Sequence, residues 1–247
     1  MKTKRFLPAL VDRKSWWTYA ILNWIDTIAV KRHFCDVHIE GREKLPRGSF
    51  ILISNHSSRW DGPVVQQLLG RPANWMVTPN ELRGLQGLLL RAFGAFPADP
   101  RSNLIEFMRL QARKAEPIVI FPEGDIYRDG STHSFKQGAA RSALMCAAAG
   151  LNVPVVPIAV QYGGANPGVV RISVGDPVDV SDRCVAFQEN STQAIRNLTQ
   201  QLHREVCHLR AALGSKRDRE TVFDGKPVRF WMPRSTDGID QAAMGRS

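Results

Sequence analysis

The sequence predicts an α/β protein: a single domain with a mixed, partly parallel central sheet flanked by helices, preceded by an amphipathic N-terminal helix. Two observations predict this class. Short β-prone apolar runs alternate with segments of helical periodicity along the middle of the chain. Most of these runs are nearly continuous in apolar residues, which is typical of strands that are covered on both faces.

Composition divides the 247 residues into three parts. Residues 1–34 are basic and aromatic, residues 35–214 carry the alternating pattern, and residues 215–247 are polar. The hydrophobic fraction of 43% is ordinary for a folded domain with a core. We expect the last part to be a poorly ordered tail, because it offers few apolar side chains to bury.

The N-terminal part contains an apolar and aromatic run over residues 16–30, with basic residues on both sides. Asn23 and Asp26 interrupt the run, which is shorter than the about 20 residues needed to cross a bilayer, so we expect no spanning helix and no secretory signal. Clustered Trp and basic flanks favour a helix lying in the head-group layer of a membrane. A helix packed on the protein's own core is the alternative. The flanking basic residues are Lys2, Lys4, Arg5, Arg13, Lys14, Lys31 and Arg32.

Seven strands and four helices are expected after this segment. The strands are predicted at residues 35–40, 50–54, 75–78, 94–98, 118–121, 153–160 and 169–174. Helices are predicted at residues 63–69, 103–114 and 138–149. The second of these begins with a capping pattern of Asn103 and Glu106. A long fourth helix is indicated by apolar residues that recur every three or four positions, namely Ile195, Leu198, Leu202, Val206, Leu209 and Leu213.

The net charge of the chain indicates which classes of partner it could bind. A net charge of +10 favours anionic partners such as acidic lipids, phosphorylated substrates or nucleic acid. No nucleic-acid-binding motif is present, so we do not expect a nucleic-acid partner.

Cys35, Cys146, Cys184 and Cys207 are too scattered for a zinc or redox motif, and their spacing is typical of reduced thiols in a cytosolic compartment.

A first polar cluster follows the second predicted strand, beginning with Asn55 and His56 and ending with Asp61. Ligands bind at the carboxyl ends of strands in open α/β sheets. A helix starting after His56 would return the Asp61 carboxylate to the imidazole, fixing its tautomer and leaving the other nitrogen to take a proton from a hydroxyl. No G-x-S-x-G elbow is present, so that hydroxyl is expected to belong to a substrate. A hydrogen-bonded histidine without a catalytic role is the alternative.

A second polar cluster follows the fifth predicted strand. Glu123 comes at its end, and Gly124 permits a sharp turn there. Arg128, Lys136 and Arg141 follow, and together these residues could hold an anionic head group while Glu123 orients a hydroxyl or a basic group. A surface ion pair of little energetic consequence is the alternative.

In this order the two clusters resemble the glycerophospholipid acyltransferase family, whose type member is 1-acylglycerol-3-phosphate acyltransferase. Asn55-His56-x4-Asp61 is similar to the first block of that family, and Phe121-Pro122-Glu123-Gly124, about sixty residues later, to its third. The resemblance covers about residues 35–213. Further similar segments are Val37-His-Ile-Glu-Gly41 with Leu45-Pro46, Glu81-Leu82, and residues 134–141, 153–160 and 174–178.

The resemblance implies direct transfer of a fatty acyl group from acyl-CoA or acyl carrier protein to a hydroxyl of a lysophospholipid-type acceptor, in phospholipid synthesis. It implies His56 as general base and Asp61 as its orienting partner. The first acceptor to consider is 1-acylglycerol-3-phosphate, and a different lysolipid, such as a lyso-aminolipid, is the alternative. Residues expected to bind substrate are Asn55, Arg101, Glu123, Gly124, Arg128 and Lys136.

The implied partners are a membrane lipid surface, the thioester donor and the lysolipid acceptor, with no metal and no cofactor other than that co-substrate. The protein is expected at the cytoplasmic face of a membrane, peripheral or monotopic. Two interpretations from other classes stay open. One is a metal-dependent hydrolase with His56, Asp61 and Glu123 as ligands, although catalytic zinc sites usually carry more His or Cys. The other is a non-catalytic lipid-binding or nucleic-acid-binding module.

Three departures from the family's pattern bear on the acceptor. Pro100 stands directly before Arg101, where the family has Asp next to the Arg that binds the acceptor phosphate. Asp125 and Ile126 stand where the family commonly has Thr and Arg. The bulky Arg59-Trp60 pair lies within the first block and could line a lipid entrance. These departures leave the class of reaction unchanged.

Overall fold

The computed structural model describes residues 10–99, 102–163 and 168–220. These residues form one seven-stranded sheet with helices on both faces, so the predicted α/β class is confirmed. The strands are β1 Asp36–Glu40, β2 Ile51–Ser54, β3 Asn74–Val77, β4 Ala95–Pro97, β5 Ile118–Ile120, β6 Val155–Tyr162 and β7 Val169–Val174. The helices are α1 Trp16–His33, α2 Asp61–Leu69, α3 Gly84–Ala92, α4 Leu104–Arg113, α5 Gly138–Ala148, α6 Cys184–Glu189 and α7 Ser191–Glu220.

The sheet is mixed and mostly parallel, with the strand order β1-β7-β6-β2-β5-β3-β4. Only β6 and β7 pair antiparallel, since a connection of six residues joins them, whereas the parallel pairs are linked by longer crossovers. The neighbours β5, β2 and β6 are parallel at the centre. The residues that follow them therefore meet at one edge of the sheet, called here the carboxyl edge.

The core has two layers because successive side chains of a strand point to opposite faces of the sheet. Leu52 of β2 packs in the layer that contains Val64 and Leu68 of α2. Ile51 packs in the other layer, with Leu198 of α7. Every residue of β2 is fully buried, as expected from its uninterrupted apolar sequence.

Helix α1 packs on the domain and also exposes an apolar surface. It begins with a capping box formed by Ser15 and Thr18. The Tyr19 hydroxyl accepts a hydrogen bond from Gln66 of α2 at 2.7 Å, and Tyr19 and Val30 are buried. The large exposed apolar side chains, called here the α1 apolar face, are Trp16, Trp17, Ile21, Trp24, Ile25 and Ile28.

One basic residue near α1 is not where the sequence suggested. Lys14, expected among the residues facing lipid, is buried with its Nζ 2.8 Å from Glu116 Oε2 and 3.2 Å from Asp12 Oδ1. The correction has a simple cause: an ammonium can leave water when carboxylates surround it. Lys2, Lys4 and Arg5 lie outside the described residues. Within the described ranges, no helix is both long and apolar enough to cross a membrane.

Three differences from the expected elements concern α3 and α6, which were not predicted, and α7. Gly84 and Gly87 make the sequence of α3 look like a loop. A Cβ atom at Gly87 would lie 2.3 Å from the Leu82 carbonyl oxygen, so the helix needs glycine for close packing. Helix α7 continues to Glu220, past the point at which residue 215 was expected to begin a tail. Residues 221–247 lie outside the described part.

Candidate active site

His56 follows β2 at the carboxyl edge, and its main chain is held by the loop after β5. The His56 amide donates to Glu123 Oε1 at 3.0 Å. The His56 carbonyl accepts from the Tyr127 amide at 2.9 Å. The two polar clusters of the sequence are therefore joined, because β2 and β5 are neighbours in the sheet.

The His56 and Asp61 side chains face each other, with Nδ1 and Oδ2 2.8 Å apart. Asp61 is fully buried, while 20% of the His56 side chain is exposed. A carboxylate only accepts, so the ring nitrogen facing it carries the hydrogen and Nε2 keeps its lone pair. The ring is also stacked on Phe121, with centroids 4.3 Å apart. This arrangement presents a basic nitrogen with a fixed direction.

The return of Asp61 to His56 does not come from a helical turn, as the sequence argument supposed. Residues 55–60 form a loop, and α2 begins only at Asp61. The loop curls around the carboxylate instead, since Asp61 Oδ2 accepts from the Ser57 amide at 2.7 Å and the Ser58 amide at 2.9 Å. These amide donors hold the carboxylate in position beside the imidazole.

Tyr162, at the end of β6, completes the surroundings of Asp61 and was missed by the sequence argument. Its hydroxyl donates to Asp61 Oδ1 at 2.6 Å. Burial and the Asp61 charge raise the pKa of Tyr162, so the hydroxyl stays protonated and remains a donor. The available signal was a polar residue at the end of a strand that neighbours β2.

Glu123 is buried and both of its carboxylate oxygens face the main chain. Oε1 accepts from the His56 amide, and Oε2 accepts from the His133 amide at 3.2 Å. Burial raises the pKa of Glu123, while these two amides act in the opposite direction. Glu123 thus braces the His56 loop against the loop after β5.

Gly124 and Lys136 lie together in the loop after β5. Gly124 has a positive φ of 70°, and a Cβ atom there would lie 2.3 Å from Lys136 Nζ. Lys136 Nζ donates to the Gly124 carbonyl at 3.3 Å, and the Lys136 amide donates to Pro122 O at 2.7 Å. The exposed ammonium of Lys136 is thus held at the turn that follows Glu123.

The other expected substrate-binding residues are placed differently. Asn55 is fully buried, and its side-chain amide forms hydrogen bonds of 2.9 and 2.8 Å with the main chain of Val160, which pins β2 to β6. Arg128 is exposed. Arg101 lies outside the described residues. Of the expected set, Glu123, Gly124, Arg128 and Lys136 therefore lie in the one loop that follows β5, beside His56.

Trp60 in the first block packs under α1 and does not stand free. Its ring stacks on His33 with centroids 4.2 Å apart, and Phe34 meets it edge-on at 5.5 Å. The preceding Arg59 is exposed. The C-terminal end of α1 is therefore attached to the residue directly before Asp61.

The three side chains considered as metal ligands do not converge, because the oxygens of Glu123 are bonded to main-chain amides. Across the described ranges, no three His, Cys, Asp or Glu side chains are grouped so that they could hold a metal ion. The geometry instead provides an imidazole base backed by a carboxylate.

Comparisons with known proteins show which family the chain resembles. A family model described as Acyltransferase matches residues 36–161, slightly more than half of the chain. The 1-acyl-sn-glycerol-3-phosphate acyltransferase LPAT1, chloroplastic, of Arabidopsis thaliana is 29% identical over 174 residues, covering 63% of this chain and 47% of the relative. The chain thus spans about half the length of this curated relative.

A solved structure shows the same fold. The crystal structure of the 1-acyl-sn-glycerophosphate (LPA) acyltransferase PlsC from Thermotoga maritima matches with a TM-score of 0.57 at 21% identity. The match covers 78% of this chain and 80% of that chain. The region matched by the family model contains His56, Asp61 and Glu123 and ends one residue before Tyr162.

Proposed function

Because the chain belongs to the acyltransferase family and is therefore a transferase, we propose that it moves a fatty acyl group from acyl-CoA or acyl carrier protein to a hydroxyl of a lysophospholipid-type acceptor. The preferred acceptor in this proposal is 1-acylglycerol-3-phosphate, and the role is in phospholipid synthesis. The observation that carries it is the 2.8 Å contact of His56 Nδ1 with Asp61, which leaves Nε2 to act as a base.

The proposed step is direct acyl transfer. Nε2 of His56 takes the proton of the acceptor hydroxyl while the hydroxyl oxygen attacks the thioester carbonyl carbon. The tetrahedral intermediate collapses with cleavage of the C–S bond, and the imidazolium returns the proton to the thiolate. Asp61 stabilises the imidazolium in between. General-base help of this kind contributes about 10²–10⁴ in rate, and holding donor and acceptor together supplies much of the rest.

The membrane is the proposed location of the acceptor. Trp16, Trp17 and Trp24 have exposed fractions of 68%, 73% and 66%, although buried apolar surface would be favourable for each. Lys31 and Arg32 lie in the last turn of the same helix and are exposed. Apolar rings with basic neighbours suit a surface of anionic lipid, so we place the protein at the cytoplasmic face of a membrane, peripheral or monotopic.

The acceptor head group has a second candidate. Asp125 is exposed beside the turn of Gly124, and the next position is the uncharged Ile126. A carboxylate near the head group would favour an acceptor that carries an ammonium and would disfavour a second phosphate charge. A lyso-aminolipid is therefore the alternative acceptor.

The test is a panel of lysolipids and labelled acyl thioesters offered to the purified protein, with the products read by mass spectrometry. We expect acylated product with the wild type and at least about 100-fold less with His56→Ala, because the base is gone. The matched control is His208→Ala, since His208 is exposed on α7 and belongs to neither polar cluster.

The outcomes of this test separate the candidates. Turnover of 1-acylglycerol-3-phosphate supports the preferred acceptor, and turnover of an amine-bearing lysolipid alone supports the alternative. Near-normal turnover by His56→Ala would overturn the mechanism. Hydrolysis of the thioester without transfer, abolished by a chelator, would support the metal-dependent hydrolase, and binding of lipid without any turnover would support the binding module.

A further inference from the structure

A polar cavity lies between the loop after β5, strand β6 and helix α7. It is open to solvent, with a volume of about 370 Å³. The polar side chains in its wall that matter here are Ser131, Thr132, Gln161 and Arg210. The Cys207 thiol also lines it, and burial raises the pKa of that thiol, so the wall gains no negative charge from it.

The cation of this cavity is the guanidinium of Arg210. It donates to the Thr132 hydroxyl at 2.9 Å. A guanidinium has five N–H donors in a planar fork, so donors remain for an anion with several oxygens. The buried Glu123 carboxylate feels the charge of Arg210, but its two oxygens already accept main-chain amides.

Gln161 of β6 supplies a hydrogen-bond acceptor to the wall of the cavity. Its side-chain oxygen is buried and has no hydrogen-bond partner among the described residues. An unpaired buried acceptor is costly, and a hydroxyl or N–H group of a ligand would satisfy it once the Gln161 side chain turns towards the cavity that it lines. The wall therefore suits a ligand that combines anionic oxygens with a hydrogen-bond donor, as a phosphate ester of a hydroxy compound does.

The cavity is connected to His56 through one carboxylate. Thr132 precedes His133, whose amide binds Oε2 of Glu123, while the amide of His56 binds Oε1. We propose that Arg210, Thr132 and Gln161 bind the phosphate ester of one of the two substrates of acyl transfer. This inference rests on the proposed function. The phosphate belongs either to the acceptor head group or to the CoA or phosphopantetheine arm of the donor.

The first experiment measures binding without turnover, using inorganic phosphate and glycerol 3-phosphate as probes in titration calorimetry of the full chain. We expect Arg210→Ala to weaken glycerol 3-phosphate binding about tenfold or more, because charge-assisted hydrogen bonds are lost. Arg204→Ala is the matched control, since Arg204 is exposed on the same helix and does not line the cavity. It should bind like the wild type.

The second experiment identifies the source of the phosphate. A raised KM for lysophosphatidic acid, with no change for an unphosphorylated monoacylglycerol, would assign the cavity to the acceptor. A raised KM for acyl-CoA, with no change for an acyl-pantetheine lacking phosphate, would assign it to the donor. In both cases kcat should change less than KM, because His56 is untouched.

One further variant keeps the test decisive. Gln161→Leu removes the unpaired amide without touching the charge near Glu123 and should weaken glycerol 3-phosphate more than inorganic phosphate. This variant also tests the cavity if Arg210→Ala does not fold. Unchanged binding and unchanged KM values in the folded variants would overturn the cavity assignment. Probe binding that depends on Arg210, in a protein that acylates nothing, would overturn the proposed function and leave the cavity standing.

Discussion

In the proposed mechanism, the chemistry of His56 depends on the carboxylate of Asp61. It accepts hydrogen bonds from the imidazole, the Ser57 and Ser58 amides and the Tyr162 hydroxyl. These donors hold a fully buried charge in place and fix the orientation of the ring. The sequence predicted the pair of His56 and Asp61 through its resemblance to the family, although a loop and not the supposed helical turn brings them together. It could not predict Tyr162, which lies 101 positions from Asp61 and arrives only when β6 pairs with β2.

Removing the Tyr162 hydroxyl should show that it positions Asp61 and does not touch substrate. In Tyr162→Phe we expect kcat to fall about threefold to tenfold, the usual effect of one net hydrogen bond. The acidic limb of the kcat/KM profile against pH should move to higher pH, because a less neutralised carboxylate holds the imidazolium more tightly.

The control for this prediction is Tyr19→Phe, the same change at a buried tyrosine of α1 that bonds Gln66. Its kcat and pH profile should match the wild type even if its stability falls. A pH profile of Tyr162→Phe that is superimposable on the wild type would assign the hydroxyl a purely structural role.

At the scale of elements, all seven strands stand within two residues of their predicted bounds. A continuous run of apolar residues predicts a buried strand well, because both faces of such a strand must be covered by other parts of the protein. The strand order could not be predicted, because it depends on how crossovers stack. Helix α3 was missed because of its two glycines: Gly87 is needed for tight packing against Leu82, a reason that only tertiary structure supplies, and Gly84 has a positive φ of 61° at the start of the helix.

The prediction at the scale of elements concerns the binding of helix α1 to lipid. Replacing Trp16, Trp17 and Trp24 together by Ser should weaken binding to phosphatidylglycerol vesicles at least about tenfold, because each ring would bury a large apolar area in lipid. Vesicle sedimentation measures the effect, and circular dichroism checks the fold. The matched control replaces Leu110 and Val185, which are exposed on other helices. Equal binding of the triple variant and the wild type would contradict a membrane role for the α1 apolar face.

On the scale of the whole molecule, a network of charged side chains lies at the end of the sheet opposite His56. Lys14 lies between Asp12 and Glu116, contacts Asn74 at the start of β3, and Asp12 also accepts from Lys114 at 2.7 Å. This network ties the segment before α1 to the amino ends of β3 and β5. The sequence suggested lipid-facing basic residues there, because Glu116 and Asn74 lie far along the chain from Lys14.

Lys14→Met should lower the free energy of unfolding by about 3 kcal/mol, since two largely buried carboxylates lose their shared cation. Urea unfolding followed by fluorescence measures this. Lys31→Met, at an exposed position of α1, should change it by less than about 0.5 kcal/mol. Equal midpoints for the two variants would show that the network contributes nothing to stability.

The same network should loosen in acid. Burial favours a higher pKa for Asp12, but hydrogen bonds from Lys114 and the Lys14 amide outweigh it and hold the pKa below its ordinary value. Stabilisation from such a carboxylate is present above its unfolded-state pKa and is lost as the pH falls through the lowered folded-state pKa.

The stack of His33 on Trp60 has a consequence for how a lipid would reach the imidazole. It fixes the end of α1 against the loop that leads into Asp61, so a protein resting on lipid through that helix would hold its catalytic loop at a set height above the acyl chains. Taking a long acyl tail into water costs on the order of 10 kcal/mol. An acceptor that keeps its tail in the leaflet and raises only its glycerol hydroxyl avoids that extraction. Diffusion within two dimensions would then bring the acceptor to the enzyme.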